Sequence, residues 1–372
     1  MVILIQIGKL ILNLIYTFYK IRPARRRITF VSRQSNEPSI DIILLKRELE
    51  QRYPDVEVRV ICRMIDNGIL GKVSYLFYMC GPMMKAFAAS QVVVLDGYCI
   101  PASVLHHRKN LTIVQMWHAM GCFKKFGYAV LGKEEGYEPE IARVMNMHRG
   151  YNCVFISNEH CRNNMSIAFG CDPSIMKVMP LPRTDFVRKE KFTIPTANRI
   201  YKAYPSLCNK KNILYTPTYR KEGDNLSPIL SIIHCIDYNH YNLIIKPHPL
   251  MNQKLPEGRA IIDHMFSSLE MLSVADYVIS DYSAFILEAA LASRPVYLFT
   301  PDEEHYLRNR GFFDDPTIEC KGFQSNDPVE IMNAIREERT KIESMQRFAN
   351  KYVEIKEDCT GAIAEYLYQQ TN

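Results

Sequence analysis

Residues 274–299 read VADYVISDYSAFILEAALASRPVYLF. Tyr277–Asp281 has the β-branched and aromatic content of a strand, and Pro295–Phe299 has it again. Between them Ser283–Ala292 carries the Ala, Leu and Glu of a helix. A helix between two strands is the connection that parallel pairing requires, since a hairpin needs only a short turn. Neither strand alternates apolar with polar residues, so both faces of their sheet are covered. This unit predicts an α/β fold.

The same alternation extends outward. Asn212–Thr216 and Asn242–Lys246 read as strands, with helices at Leu269–Ala275, Pro328–Lys351 and Gly361–Gln370. An earlier series gives strands at Ile28–Ser32, Val56–Cys62, Gln91–Asp96, Thr112–Trp117, Cys153–Ser157 and Met176–Leu181, with helices at Ile40–Arg52 and His160–Phe169. Thr193–Lys211 is polar, contains the turn-prone Pro195 and Pro205, and reads as a linker. The expected architecture is two doubly wound domains facing a cleft. They occupy residues 28–192 and 212–340, with the linker over 193–211 and closing helices over 341–372.

Composition agrees with that size. The chain has 372 residues, enough for about two domains. Hydrophobic residues at 47% and charged residues at 23% exclude wholesale disorder. A net charge of +6 suits an anionic ligand or membrane surface and falls short of a dedicated nucleic-acid binder. The 11 cysteines are scattered, with no CxxC pair. They read as small buried hydrophobes in a reducing compartment, not as a disulfide framework or a zinc site. No GxGxxG, GxxxxGK[ST] or HExxH occurs, which weighs against the common dinucleotide, P-loop and zincin chemistries.

Residues 1–27 stand apart. Residues 2–19 are apolar except for Gln6, Gly8, Lys9, Asn13 and Thr17, and Lys20 follows. Gln6, Lys9, Asn13, Thr17 and Lys20 step by three or four, which makes one narrow polar stripe on a helix. Arg22, Arg25, Arg26 and Arg27 come next, with no small-residue cleavage site. The pattern predicts an amphipathic helix lying in a membrane surface, with Lys9, Lys20 and the four arginines bound to anionic lipid. A helix packed on the protein's own core or on a partner is the plainer alternative.

Four segments fall at the carboxyl ends of strands, where open parallel sheets bind ligands. In IVQMWHAMGCFKKFGY, residues 113–128, His118 can accept a proton from an attacking hydroxyl, and Lys124 and Lys125 can face an anion. In LIIKPHPL, residues 243–250, Pro247 and Pro249 stiffen the backbone around His248. In SDYSAFILEAA, Asp281 and Ser283 precede a helix whose free amides suit a phosphate, and Glu288 suits ribose or polyol hydroxyls. Plain helix capping explains Asp281 and Ser283 equally well. In NILYTPTYRKEG, residues 212–223, Thr218 and Arg220 follow a strand, and Arg220 can fork onto a phosphate. Lys221 and Glu222 read as solvated surface.

Six strings in order resemble the CDP-glycerol glycerophosphotransferase family, the teichoic acid primases and polymerases. They are QMWHAMGCFKKFGY, MPLPRTD, LYTPTYR, KPHP, SDYSAFILEAA with SRPVYLF after it, and RGFFDD, spanning roughly residues 110–320. Ala284 stands where the family often has a second serine, and Ala119 where a glycine commonly follows WH. The resemblance implies a GT-B fold and transfer of glycerol or ribitol phosphate from a CDP-activated donor to a lipid-linked acceptor. It also implies peripheral attachment at the cytoplasmic membrane face. It makes His118 and His248 the essential histidines and matches Asp281, Ser283 and the helix after them to a phosphate-binding turn; Thr218, Arg220 and Glu288 are expected donor contacts by their placement alone. No cofactor is expected, and no obligatory metal. The choice of glycerol or ribitol, the acceptor and the oligomeric state stay open. A GT-B nucleotide-sugar 2-epimerase and a non-catalytic GT-B scaffold are the rival classes.

Overall fold

The computed structural model describes residues 2–66, 68–134, 136–220, 223–248, 251, 253–319 and 323–371. Lys221, Glu222, Pro249 and Cys320 lie outside the described residues. The chain forms two compact units. The first holds Met1–His118, Phe126–Pro182 and Lys356–Asn372; the second holds Ala119–Lys125 and Arg183–Ile355.

The first unit contains a six-stranded sheet of order β2-β1-β3-β4-β5-β6. Its strands are β1 (Arg25–Ser32), β2 (Glu57–Cys62), β3 (Ser90–Leu95), β4 (Thr112–Gln115), β5 (Cys153–Ile156) and β6 (Met176–Val178). All neighbours pair in parallel. The inner strands carry the unbroken apolar runs, as in Val92, Val93, Val94 and Leu95, all buried. Helix α1 (Val2–Tyr19) lies against this unit. Helix α2 (Ile40–Arg52) starts on Ser39, whose hydroxyl accepts from the Ile42 amide. Helices α3 (Gly68–Tyr78) and α4 (Met84–Ala89) flank the π-helical turn Met79–Met83, which contains Pro82.

The second unit repeats the design in the order β12-β11-β10-β7-β8-β9, again parallel throughout. Its strands are β7 (Lys211–Thr216), β8 (Tyr241–Ile245), β9 (Ile261–Ile262), β10 (Tyr277–Ser280), β11 (Val296–Phe299) and β12 (Phe323–Ser325). β9 and β12 have no counterpart among the expected strands, and β9, at two residues, is too short to carry a pattern. Strand order reverses at β7, between β8 on one side and β10 on the other.

Several readings need correction. The stretch 193–211, expected as a linker, continues a helix over Glu190–Ala203 that accommodates Pro195, with a 3₁₀ turn after it. It belongs wholly to the second unit, as its buried Ile200 shows. The expected helix Pro328–Lys351 is two helices, Pro328–Arg336 and Ile342–Tyr352, with Glu338 between them at φ +48°. The closing helix Cys359–Gln369 returns to the first unit and packs on α2. There Arg52 pairs with Asp358 at 3.0 Å, and Tyr53 stacks on Tyr368 at 4.0 Å.

The polar stripe of α1 also points elsewhere than expected. Lys9 Nζ donates to Val144 O at 3.0 Å, Asn13 Nδ2 to Val104 O at 2.9 Å, and Lys20 Nζ to His106 O at 2.7 Å. Lys9 and Lys20 therefore hold the helix to the first unit. The arginine run is divided too. Arg27 is buried in β1 and pairs with Glu57 at 2.8 Å, while Arg26 pairs with Asp55 and lies over the Tyr368 ring. Arg22 and Arg25 stay on the surface.

Candidate functional site

His118 follows the carboxyl end of β4 in the first unit. Its Nδ1 lies 2.8 Å from Asp96 O. A carbonyl only accepts, so Nδ1 carries the proton, and in the neutral ring Nε2 holds the lone pair, the tautomer a general base needs. The backbone just before it is strained: Trp117 sits at φ +65°, rare for a bulky residue. Aromatic contacts secure it, with Phe126 stacked at 4.5 Å and Phe169 edge-on at 5.2 Å. Gln115, fully buried in an apolar strand, ties the arrangement together. Its Oε1 accepts from Trp117 N at 3.0 Å, and its Nε2 donates to Gly97 O at 3.0 Å. The sequence reading missed Gln115, although a lone amide in the apolar run IVQM is a visible signal.

Beyond His118 the chain enters the second unit. Gly121 has φ +67°, and a Cβ there would meet Leu287 Cδ1, so glycine avoids both the backbone strain and the contact. Phe123 packs against Phe348 and Tyr352. The RGFFDD string forms the other side of this seat. Lys124 bridges Phe312, Lys125 N donates to Gly311 O at 3.2 Å, and Arg310 Nε donates to Lys125 O at 3.1 Å. Lys124 also lies over the Tyr306 ring.

His248 follows β8 and stacks on Tyr219 with centroids 5.4 Å apart. Burial lowers its pKa, and the charge of Lys124 lowers it further, which favours the neutral ring. Lys246 of the same string has a structural task. It donates to Asp263 Oδ2 at 2.7 Å and Asp263 O at 2.8 Å, anchoring the segment after β9. Burial pushes the Asp263 carboxyl up, but Lys246 and Tyr204 outweigh it and hold the carboxyl below its ordinary range.

A cavity of about 500 Å³ opens in the second unit where strand order reverses. Thr218, Arg220, Asn225, Asp281, Asp302 and Asn326 line it. Arg220 does not reach out as a phosphate fork. Its Nε and Nη2 donate to Asp302 at 2.7 and 3.0 Å, and its Nη1 pairs with Asp281 at 3.0 Å. Burial alone would lower its pKa, but the two carboxylates outweigh burial and raise it. Asp281 also accepts from Thr218 N at 2.9 Å and from the Thr218 hydroxyl. Three expected donor contacts thus form one internal network, and Asp302 is the member the sequence reading missed.

Ser283 Oγ accepts from Phe285 N at 3.3 Å, a local serine turn just ahead of Ala284, the N-cap residue of the helix Phe285–Leu291. Glu288 is buried and pairs with Arg183 at 3.0 Å, not with solvent. Arg183 belongs to MPLPRTD, so that string serves a buried ion pair. Among the described residues no group of three or more His, Cys, Asp or Glu is placed to hold a metal.

Two six-stranded parallel sheets in succession, each with a histidine beyond a strand end, have the fold of the GT-B class. The wall teichoic acid polymerase TagF shares it, with a TM-score of 0.77 at 16% identity over 97% of this chain and 93% of that one. A UDP-GlcNAc 2-epimerase from Neisseria meningitidis follows at a TM-score of 0.61 and 14% identity, over 92% and 99% of the two chains. The sequence is more specific. The profile of the CDP-Glycerol:Poly(glycerophosphate) glycerophosphotransferase family matches residues 14–369, and the chain belongs to that family. A teichoic acid ribitol-phosphate primase of Bacillus spizizenii is 29% identical over 70% of this chain and 69% of its own length. A teichoic acid glycerol-phosphate primase of the same organism is 24% identical over 88% and 84%.

Proposed function

We propose that this protein transfers glycerol phosphate or ribitol phosphate from a CDP-activated donor to a hydroxyl of a lipid-linked or polymer acceptor. CMP is released, and the product is a teichoic acid or related cell-surface polymer. Family membership across residues 14–369 carries this reading. The acceptor oxygen bonds to the phosphorus that bears the donor polyol, while the bond from that phosphorus to the bridging oxygen breaks and CMP departs with it. His118 Nε2 takes the hydroxyl proton, a role its tautomer permits. The second unit holds the donor. His248, Lys124, Lys125 and Ser283 steady the diphosphate charge. Arg220 acts by ordering Thr218 and Asp281, because its own charge is already matched by two carboxylates. The enzyme works at the cytoplasmic membrane face, held there peripherally through α1.

The purified chain is to be incubated separately with CDP-glycerol and CDP-ribitol, plus lipid acceptor analogues, and CMP measured. One donor should release CMP only when acceptor is present. His118→Ala should lower turnover by roughly 10²- to 10⁴-fold and leave CMP binding intact. Undiminished turnover would remove the base assignment, and acceptor-free interconversion of a UDP-sugar would favour an epimerase.

A further inference from the structure

Three consecutive carbonyls beyond β3 accept from three different side chains. Asp96 O accepts from His118 Nδ1 at 2.8 Å, Gly97 O from Gln115 Nε2 at 3.0 Å, and Tyr98 O from Arg33 Nη1 at 2.8 Å. Arg33 follows β1, and Arg63 follows β2 beside it. Ser32 pairs with Cys62, and Arg63 N still donates to Ser32 O at 3.1 Å. The two arginines are therefore one strand spacing apart, about 5 Å at the backbone. Arg33 lies two spacings, about 10 Å, from the chain that leads into His118.

Both guanidiniums rest on rings of α3. Arg33 lies over Tyr75 at 5.6 Å and Arg63 over Tyr78 at 4.8 Å, and Arg63 Nη2 donates to Ser74 Oγ at 2.6 Å. A guanidinium carries five N–H donors, and each of these spends one on a neutral acceptor. Arg33 Nε is enclosed with no partner. Among the described residues neither arginine has a carboxylate within ion-pair distance. Other enclosed cations of this protein are matched: Arg27 by Glu57, Arg183 by Glu288, Arg220 by Asp281 and Asp302, and Lys246 by Asp263. Two adjacent guanidiniums, both half-buried and neither matched, suit a bidentate hold on a phosphate.

We propose that Arg33 and Arg63 form a phosphate site of the first unit, and that it holds the acceptor by the phosphate nearest the attacking hydroxyl. This rests on the transfer reaction proposed above and names the group by which its acceptor is recognised. A polyol-phosphate chain carries a phosphate a few bonds from its terminal hydroxyl. The tripeptide Asp96–Tyr98 fixes the base at one end and Arg33 at the other, so one acceptor end can meet both.

The test is direct binding. A dye-labelled, lipid-free acceptor analogue ending in one glycerol phosphate is titrated into the full chain without donor, at low and high salt. Arg33→Gln/Arg63→Gln should weaken binding roughly tenfold or more and flatten its salt dependence. Arg33→Lys/Arg63→Lys keeps the charge without the planar fork and should fall in between. The same analogue without its phosphate should bind wild type and variants alike. CMP binding and melting temperature control for folding. In turnover, the Gln pair should raise the acceptor KM and leave the donor KM in place. Wild-type affinity in the folded Gln pair overturns the inference, as does an equal loss for the phosphate-free analogue or a rise in donor KM alone. If the Gln pair does not fold, phenylglyoxal modification of wild type replaces it: the phosphorylated analogue should protect Arg33 and Arg63 in peptide mass spectra, and no protection overturns the inference. Acceptor binding that needs both arginines, with no CMP released from either donor, sinks the proposed function alone.

Discussion

Gln115 shows how one side chain shapes the base. It spans the two backbone stretches that hold His118, binding Trp117 N on one side and Gly97 O on the other, next to the carbonyl of Asp96. Gln115→Leu should therefore lower kcat roughly ten- to hundredfold with little change in the donor KM, because small displacements of a catalytic group are costly. Gln115→Glu, which can still accept from Trp117 N, should fall in between. An equal loss in donor KM would assign Gln115 to general packing. Gly121 is the second case. Gly121→Ala meets both the positive φ and the Leu287 contact, and should destabilise the protein by about 2 kcal/mol or more, read from denaturant midpoints. A midpoint within error of wild type would show that the loop can relax. Both histidines were legible in the sequence because each ends an apolar strand. The partners of Arg220 and Glu288 were not, since Asp302 and Arg183 lie 82 and 105 residues away.

At the scale of elements, α1 illustrates what periodicity conveys and what it omits. Spacing identified the stripe, but only packing shows which side faces the protein, because Lys9 and Lys20 can satisfy carbonyls as readily as lipid phosphates. Beneath α1, His107 accepts from Tyr16 OH and donates to Pro101 O or Ala102 O. Burial lowers its pKa to about 4. His148, buried against Phe169, is lowered to about 3 for the same reason. Both folded values lie below the ordinary one, so the unfolded chain gains protons first as pH falls. Stability fully present above about pH 6.5 is then lost progressively toward pH 4 and 3. At pH 5 each histidine should cost up to about 2 kcal/mol. Melting temperature measured from pH 7 to 5 should fall, and His107→Gln should flatten that slope. An unchanged slope would mean that His107 titrates normally.

For the whole molecule, the two units are interleaved along the chain. Residues 119–125 leave the first unit to complete the second, and Cys359–Gln369 returns to cover α2. Ile363, Ala364 and Leu367 are fully buried there, and losing Ile363 and Leu367 alone removes about 3–6 kcal/mol, comparable to a domain's entire stability. A fragment of residues 1–192 should therefore aggregate, and fusing 356–372 to it should restore soluble, cooperatively melting protein. A soluble, cooperative 1–192 fragment would show the return helix to be dispensable.

The sequence by itself determined the two parallel sheets, ten of the twelve strands among the described residues, the position of His118 and His248 beyond strand ends, and the amphipathic helix. Each is encoded locally, by apolar runs, helical spacing or a residue placed at a strand end. Tertiary structure alone decided that the supposed linker is a helix of the second unit, and that the lysine stripe faces inward. It also decided that Arg220 is held by Asp281 and Asp302. Those outcomes depend on which distant groups meet a given charge or backbone end, and local pattern carries no information about partners far along the chain.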